Sequence, residues 1–290
     1  MKKLLFILSF LLIFSVSCIV PFGAMPVMGQ EVIEVSSTQE FLLALGSNRI
    51  IVLKPGKYNL TEFAPHWDVN LSESKKTINR ELATKGISWE VATDGGQLML
   101  MNIETLTIIG KESLESSNFA SIIVDPRYAF VLSFYNCSNV NIENLYLGHS
   151  EGGFCAGGVL DFNDCRNITL NDVKMFGCGT EGLNLNLVAG MVVTDSAIFN
   201  CTQNIMTIEE STDISFINCD FYENKGGVGI HESISVTFSA CEFNNNDDFS
   251  LFADEQSAAT LKCCTFKGNK SEGFWDFGNV KFENCDFEGE

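Results

Sequence analysis

From Asn139 to the end of the chain, apolar and polar residues alternate in short bursts, and the bursts recur. Seven segments align: NVNIENLYL from Asn139, NITLNDVKM from Asn167, GMVVTDSAI from Gly190, DISFINCDF from Asp213, SVTFSACEF from Ser235, AATLKCCTF from Ala258 and NVKFENCDF from Asn279. Apolar residues fall at the second, fourth, seventh and ninth positions of most copies, and the starts lie 28, 23, 23, 22, 23 and 21 residues apart. A unit of this length buries its apolar face only against its neighbours, which is the signature of a solenoid. Alternation over runs this short is strand periodicity. Val, Ile, Phe and Thr dominate and Pro is absent after Pro126, as strands require.

Each unit holds three such runs, here a, b and c. In the second unit they are Asn167–Asn171, Val173–Phe176 and Glu181–Asn186. Three strands per turn, stacked in register, predict an all-β parallel β-helix with about 22–23 residues per coil. The pattern resembles the right-handed parallel β-helix proteins of the pectate-lyase-like group, over roughly Glu34 to Glu290. It matches no characterised enzyme family within that group closely. Upstream, Ser37-Thr38-Gln39-Glu40 reads as a capping box and predicts a short helix, Thr38 to Leu45, stopped by Gly46. That helix is expected to cover the N-terminal end of the solenoid, where strand edges would otherwise be unpaired. With the strand–Pro-Gly–strand run from Arg49 it resembles the first coil of such proteins. Residues 30–60 are thus expected to hold the cap and first coil, 61–138 irregular early coils with insertions, and 139–290 the regular repeats. Ser72–Lys85 reads either as a loop or as a short helix.

The first 29 residues fall outside this pattern. Lys2 and Lys3 precede an uncharged apolar run from Leu4 to about Val20, which reads as a secretory signal peptide. Two cleavage readings compete: after Gly29, or at Ser15-Val16-Ser17-Cys18 with Cys18 left as a lipid anchor. Pro21, Gly23 and Pro26 argue against a membrane-spanning helix. Export to the periplasm, cell surface or medium is the expectation. The net charge is −19, so no nucleic acid or other polyanion should bind over a broad surface. The same charge favours cations, and Ca²⁺ is a candidate cofactor.

Column occupancy sharpens the inside and outside assignments. Cys219, Cys241, Cys264 and Cys285 hold the seventh position of their units. Stacked residues lie about 4.8 Å apart, whereas a disulfide wants Cβ atoms about 3.5–4.5 Å apart. Buried free thiols are therefore expected, although one or two bridges between coils stay open. No Cys-x-x-Cys pair marks a zinc site. At the twelfth position Cys178 and Cys201 give way to Asn224, Asn246 and Asn269, which predicts an asparagine ladder satisfying backbone groups at a bend. The column Asn144, Asp172, Asp195, Asn218 and Asn284 receives the same reading.

With apolar residues inward, run c points Asp161 and Asn163, Asn184 and Asn186, Thr207 and Glu209, Gly229 and His231, then Phe252 and Asp254 outward. Glu181 precedes the second pair. Such a stripe can hydrogen-bond sugar hydroxyls or ligate Ca²⁺ through oxygen; it also fits a plain solvated face. In the resembling enzymes substrate lies along the sheet that run c matches. The resemblance implies two chemistries to test. Polygalacturonase-like hydrolysis uses N-T-D-G, then D-D, then G-H-G on successive coils. Here Gly179-Thr180-Glu181-Gly182 imitates the first element, but Gln203-Asn204 occupies the second, and His231 is displaced from the third. Pectate-lyase-like proton abstraction uses an Arg or Lys, and run c has none facing outward. Asp125-Pro126-Arg127 is an acidic–basic pair near the right sheet, or simply a turn.

The catalytic candidates are therefore Glu181, Glu209, His231 and Asp254, and the ligand-binding candidates are His149, Asp161, Asn163, Asn184 and Asn186. His149 stands out because its Gly148–Cys155 segment lengthens one unit and reads as an outward loop. Polysaccharide recognition along run c is the leading expectation. A lyase or hydrolase is the second. A structural or adhesive protein, self-associating end to end, is the third.

Overall fold

The computed structural model describes residues 29–65, 70–150, 157–177, 180–270 and 278–288. Residues 1–28, which include Cys18 and the expected signal peptide, lie outside these residues, as do His66, Cys155 and Cys178. No helix among the described residues is long and apolar enough to cross a membrane.

The chain winds as a parallel β-helix. Three sheets run along it, here sheets a, b and c after the runs that build them. Sheet a begins with Glu31–Val35, Arg49–Leu53 and Glu104–Gly110, and ends at Val280–Glu283. Sheet b runs from Gly56–Asn59 to Asp286–Glu288. Runs a and b fuse in two coils, where Ser138–His149 and Arg166–Phe176 pass through both sheets. Sheet c stacks Gly95–Met101, Leu132–Tyr135, Leu160–Asn163, Leu183–Asn186, Met206–Glu209, Val228–His231 and Leu251–Ala253 in parallel register. Ile87–Ala92 closes its N-terminal edge as an antiparallel hairpin partner of Gly95–Met101.

Corners, rather than strands, dictate much of the polar sequence. Between runs a and b the chain turns through one left-handed residue per coil: Asn144, Asp172, Asp195, Asn218, Ala240, Cys263 and Asn284 all have φ between 49° and 54°. Asn and Asp tolerate this conformation best, because their short polar side chains can bond locally. The expected amide stacking appears there between Asn218 Nδ2 and Asp195 Oδ1, at 2.6 Å. The column thus exists chiefly to turn the chain.

Inside, the expected columns are continuous. Cys219, Cys241 and Cys264 are all at most 1% exposed. Each thiol reaches a carbonyl one coil back, to Val193, Phe216 and Phe238 at 3.5–3.6 Å, and Cys285 does the same to Leu261. All are free thiols. At the corner before run c, Asn224 Nδ2 donates to Asn246 Oδ1 and Asn246 Nδ2 to Asn269 Oδ1, at 3.0 and 2.9 Å. The same amides donate to Ile198 and Phe221 carbonyls. Between the columns, phenylalanines stack at coil spacing, with Phe216 over Phe238 at 4.7 Å and Phe243 over Phe266 at 4.8 Å.

The N-terminal end is covered by two helices. Helix α1, Thr38–Ala44, is capped by Ser37 Oγ, which accepts from Glu40 N–H. Glu40 completes the cap one residue earlier than expected, accepting from Ser36 N–H at 2.7 Å. Helix α2, Glu73–Thr84, resolves the open reading of Ser72–Lys85, with Ser72 as its N-cap. It buries Ile78 and Leu82, and Asn79 Oδ1 accepts from Trp89 Nε1 on the hairpin.

Candidate functional site

Sheet c presents two outward columns. Backbone register lines up Ser133, Asp161, Asn184, Thr207, Gly229 and Phe252 in one. The other holds Tyr135, Asn163, Asn186, Glu209 and His231. Alternation within each short strand sends these side chains away from the core, while Phe134, Phe162, Leu185, Ile208 and Ile230 fill it.

The columns converge at Asp161. Its Oδ1 accepts from Asn163 Nδ2 within the strand and from Asn184 Nδ2 on the next coil, both at 2.8 Å. The residue is only 8% exposed. Burial pushes its carboxyl above the usual carboxylate range, and the two amides oppose that rise. Glu181 reaches across the face, and its Oε2 accepts from Thr207 Oγ1 at 2.6 Å. Burial raises its carboxyl too, the Thr207 bond opposes this, and the charge of Asp161 adds to it. One coil below Asp161, Ser133 is 1% exposed, and its Oγ has no hydrogen-bond partner. It lies close enough to Asp161 to help hold that carboxyl down, yet outside hydrogen-bonding geometry. Run c therefore gathers two desolvated carboxyls, two amides and two hydroxyls.

The remaining candidates sit differently. Glu209 is exposed and His231 half-buried, next to each other in the second column. His231 Nδ1 lies 3.6 Å from Asp254 Oδ2. Asp254, however, follows the strand Leu251–Ala253, and its two oxygens accept from Glu232 N–H, Gln256 N–H and Ser257 Oγ. The Ser257 hydroxyl, followed by the two backbone donors, lowers its carboxyl below the ordinary range. Asp254 acts as a turn clamp.

His149 requires a correction. It ends the strand Ser138–His149, and most of the expected Gly148–Cys155 loop, residues 151–155, lies outside the described residues. Leu145 and Leu147 point inward, and alternation carries His149 inward with them, so that it is 3% exposed. Its Nε2 lies 3.0 Å from the Ala129 carbonyl, while Nδ1 has no partner. Burial lowers its pKa and favours the neutral ring. The Asp125-Pro126-Arg127 segment is a turn: Asp125 accepts from Asn59 Nδ2, and Arg127 N–H donates to Asp94 Oδ2.

Two features escaped the sequence. Ser133 obeys the same alternation as Asp161, one coil earlier, and could have been found by extending the stripe. A cavity of about 630 Å³ lies beside the N-terminal end of sheet c, lined in part by Thr61, Leu71, Lys75, Asp94, Asp125 and Pro126. No spacing in the chain announces it.

Ca²⁺ would have to be held by oxygens of this face. Among the described residues no three His, Cys, Asp or Glu side chains converge on a common point. The Asp161 oxygen that would lead such a site already accepts two amide protons.

Comparisons place the chain. No curated protein matches it by sequence. Among solved structures it is similar to the pectate lyase Pel9A, at 11% identity, covering 87% of this chain and 68% of that one, with a TM-score of 0.57. It is also similar to an alginate lyase from Paenibacillus sp. str. FPU-7, at 10% identity over 88% of this chain and 99% of that one, TM-score 0.40. A third is PfbA, a surface adhesin of Streptococcus pneumoniae, at 9% identity over 88% of this chain and 70% of that one, TM-score 0.43. At 11% identity the likeness to the pectate lyase is one of fold. The family described as right handed beta helix region matches residues 130–288, more than half of the sequence. The fold and the match agree, and the chain belongs to the right-handed β-helix family.

Proposed function

We propose that this protein is an exported β-helix that recognises a polysaccharide along the outer face of sheet c. The observation that carries the reading is the in-register pair of outward columns, with Asp161, Asn163, Asn184, Asn186, Thr207 and Glu209 repeating at coil spacing. A rigid row of acceptors and hydroxyls suits a ligand whose hydroxyls also repeat along a chain. The pectate lyase of the same fold is a protein that acts on a polysaccharide. The test is a glycan panel against the purified protein and a variant with Asn163, Asn184 and Asn186 replaced by Ala. The reading expects at least one glycan to bind, with affinity lost about tenfold or more in the variant. No binding, or binding indifferent to the three amides, refutes it.

The second reading, a glycoside hydrolase or polysaccharide lyase, rests on the Asp161–Glu181 pair, whose carboxyls are both raised by burial. New reducing or unsaturated ends, lost in Glu181→Gln, would support it. Failure to release either from any glycan that binds would remove it.

A further inference from the structure

We propose that the sheet c face selects glycans that carry no acid groups, and that Asp161 and Glu181 are the residues that exclude polyuronates. The inference rests on the polysaccharide reading and names its substrate class.

Charge is the first argument. Neither outward column contains a Lys or Arg: one reads Ser133, Asp161, Asn184, Thr207, Gly229, Phe252, the other Tyr135, Asn163, Asn186, Glu209, His231. The imidazole of His231 faces Asp254. Of the basic residues in the flanking turns, Lys225 lies 3.7 Å from Asp248, and Arg166 is exposed but belongs to the strand Arg166–Phe176, off both columns. A ligand carboxylate lying along these two columns would therefore meet no Lys or Arg within them. It would meet two carboxyls that are themselves short of water, where repulsion is screened least.

Hydrogen-bond inventory is the second argument. Asn163 and Asn184 each commit one of their two amide N–H donors to Asp161 Oδ1. The Thr207 hydroxyl is spent on Glu181. The amide oxygens of Asn163 and Asn184 are acceptors, as are the second oxygens of both carboxyls. Around Asp161 and Glu181 the Asp161 Oδ1 and the Thr207 hydroxyl are already engaged, and the free carboxyl oxygens there match sugar hydroxyls, which donate, and mismatch carboxylates, which only accept.

The third observation points to a ligand independently of charge. Ser133 Oγ, in the same column and one coil below Asp161, is buried without a partner. An orphaned hydroxyl beside a desolvated carboxyl is costly unless something completes the site. A sugar hydroxyl, donor and acceptor at once, can bond both.

The test measures binding of xylo-, gluco-, galacto- and manno-oligosaccharides against oligogalacturonate and oligomannuronate, using wild type and the double variant Asp161→Asn/Glu181→Gln. Wild type should bind its best neutral oligosaccharide at least about tenfold more tightly than either uronate. The variant should narrow that gap by about tenfold, through gained uronate affinity. Wild type preferring a uronate overturns the inference while leaving polysaccharide recognition standing. An unchanged ratio in a folded variant overturns the assignment to Asp161 and Glu181. No binding to any oligosaccharide overturns both readings together. Should the double variant fail to fold, the wild-type ratio still decides the selectivity, and Glu181→Gln alone decides the assignment to the half-buried member of the pair.

Discussion

Asn184 Nδ2 donates to Asp161 Oδ1 at 2.8 Å, so an amide on one coil holds a carboxyl on the coil below, in a row their backbones already share. The bond exists because two residues 23 positions apart occupy the same place in successive coils. It is also the point at which the solenoid's internal order becomes a chemical property of its surface.

The Asp161 carboxyl gives stability a pH dependence of defined sign. Its folded pKa lies above its unfolded one, chiefly through burial. Between those values the native state holds more protons than the unfolded state, so stability falls as pH rises through that window. Glu34 and Asp254, whose carboxyls are lowered, act in the opposite sense. The difference between Asp161→Asn and wild type isolates the first effect. Urea melts across pH should show the variant gaining on wild type as pH rises from the ordinary carboxylate range, then levelling off above the raised pKa.

The asparagine ladder should be steeply position-dependent. Asn246 Oδ1 accepts from Asn224 N–H and Nδ2, and its Nδ2 donates to the Phe221 carbonyl. Asn246→Ala leaves these buried groups unpaired and is expected to cost about 2–4 kcal/mol. Asn269→Ala, at a half-buried rung that water can reach, is expected to cost about 1–2 kcal/mol. Chemical denaturation of the two variants checks the order.

Leu187 occupies a left-handed position, φ 56°, in the column of Asn136, Asp164, Glu210 and Glu232, and it is 49% exposed. A leucine there carries the steric cost of that conformation with no burial to offset it. Leu187→Asn should stabilise the protein by about 1 kcal/mol, measured as a shift in urea midpoint at unchanged m-value.

Thiol reactivity should separate neighbours in sequence. Cys263 is exposed at the corner, whereas Cys264, the next residue, is 1% exposed in the ladder. Brief alkylation of the native protein, followed by peptide mass mapping, should modify Cys263 and leave Cys219, Cys241 and Cys264 untouched until denaturant is added. Rapid modification of Cys241 would show that the interior column is open to solvent.

The sequence alone determined the coil length, the three runs per coil and the sense of most side chains in the regular repeats. Alternation is a property of the strand itself, and like residues falling on like made the Cys219–Cys241–Cys264 and Asn224–Asn246–Asn269 columns readable before any fold was known. The outward stripe from Asp161 to His231 was legible for the same reason. The tertiary structure decided what no local pattern encodes. It turned His149 inward, because that residue continues a strand where a loop had been expected. It folded Ile87–Ala92 back as an antiparallel edge and opened the cavity beside it. It also carried Glu181 over to Thr207, 26 residues on, and left Ser133 without a partner. Those outcomes depend on how far each corner displaces one coil against the next, and a displacement between coils leaves no periodic mark in the chain.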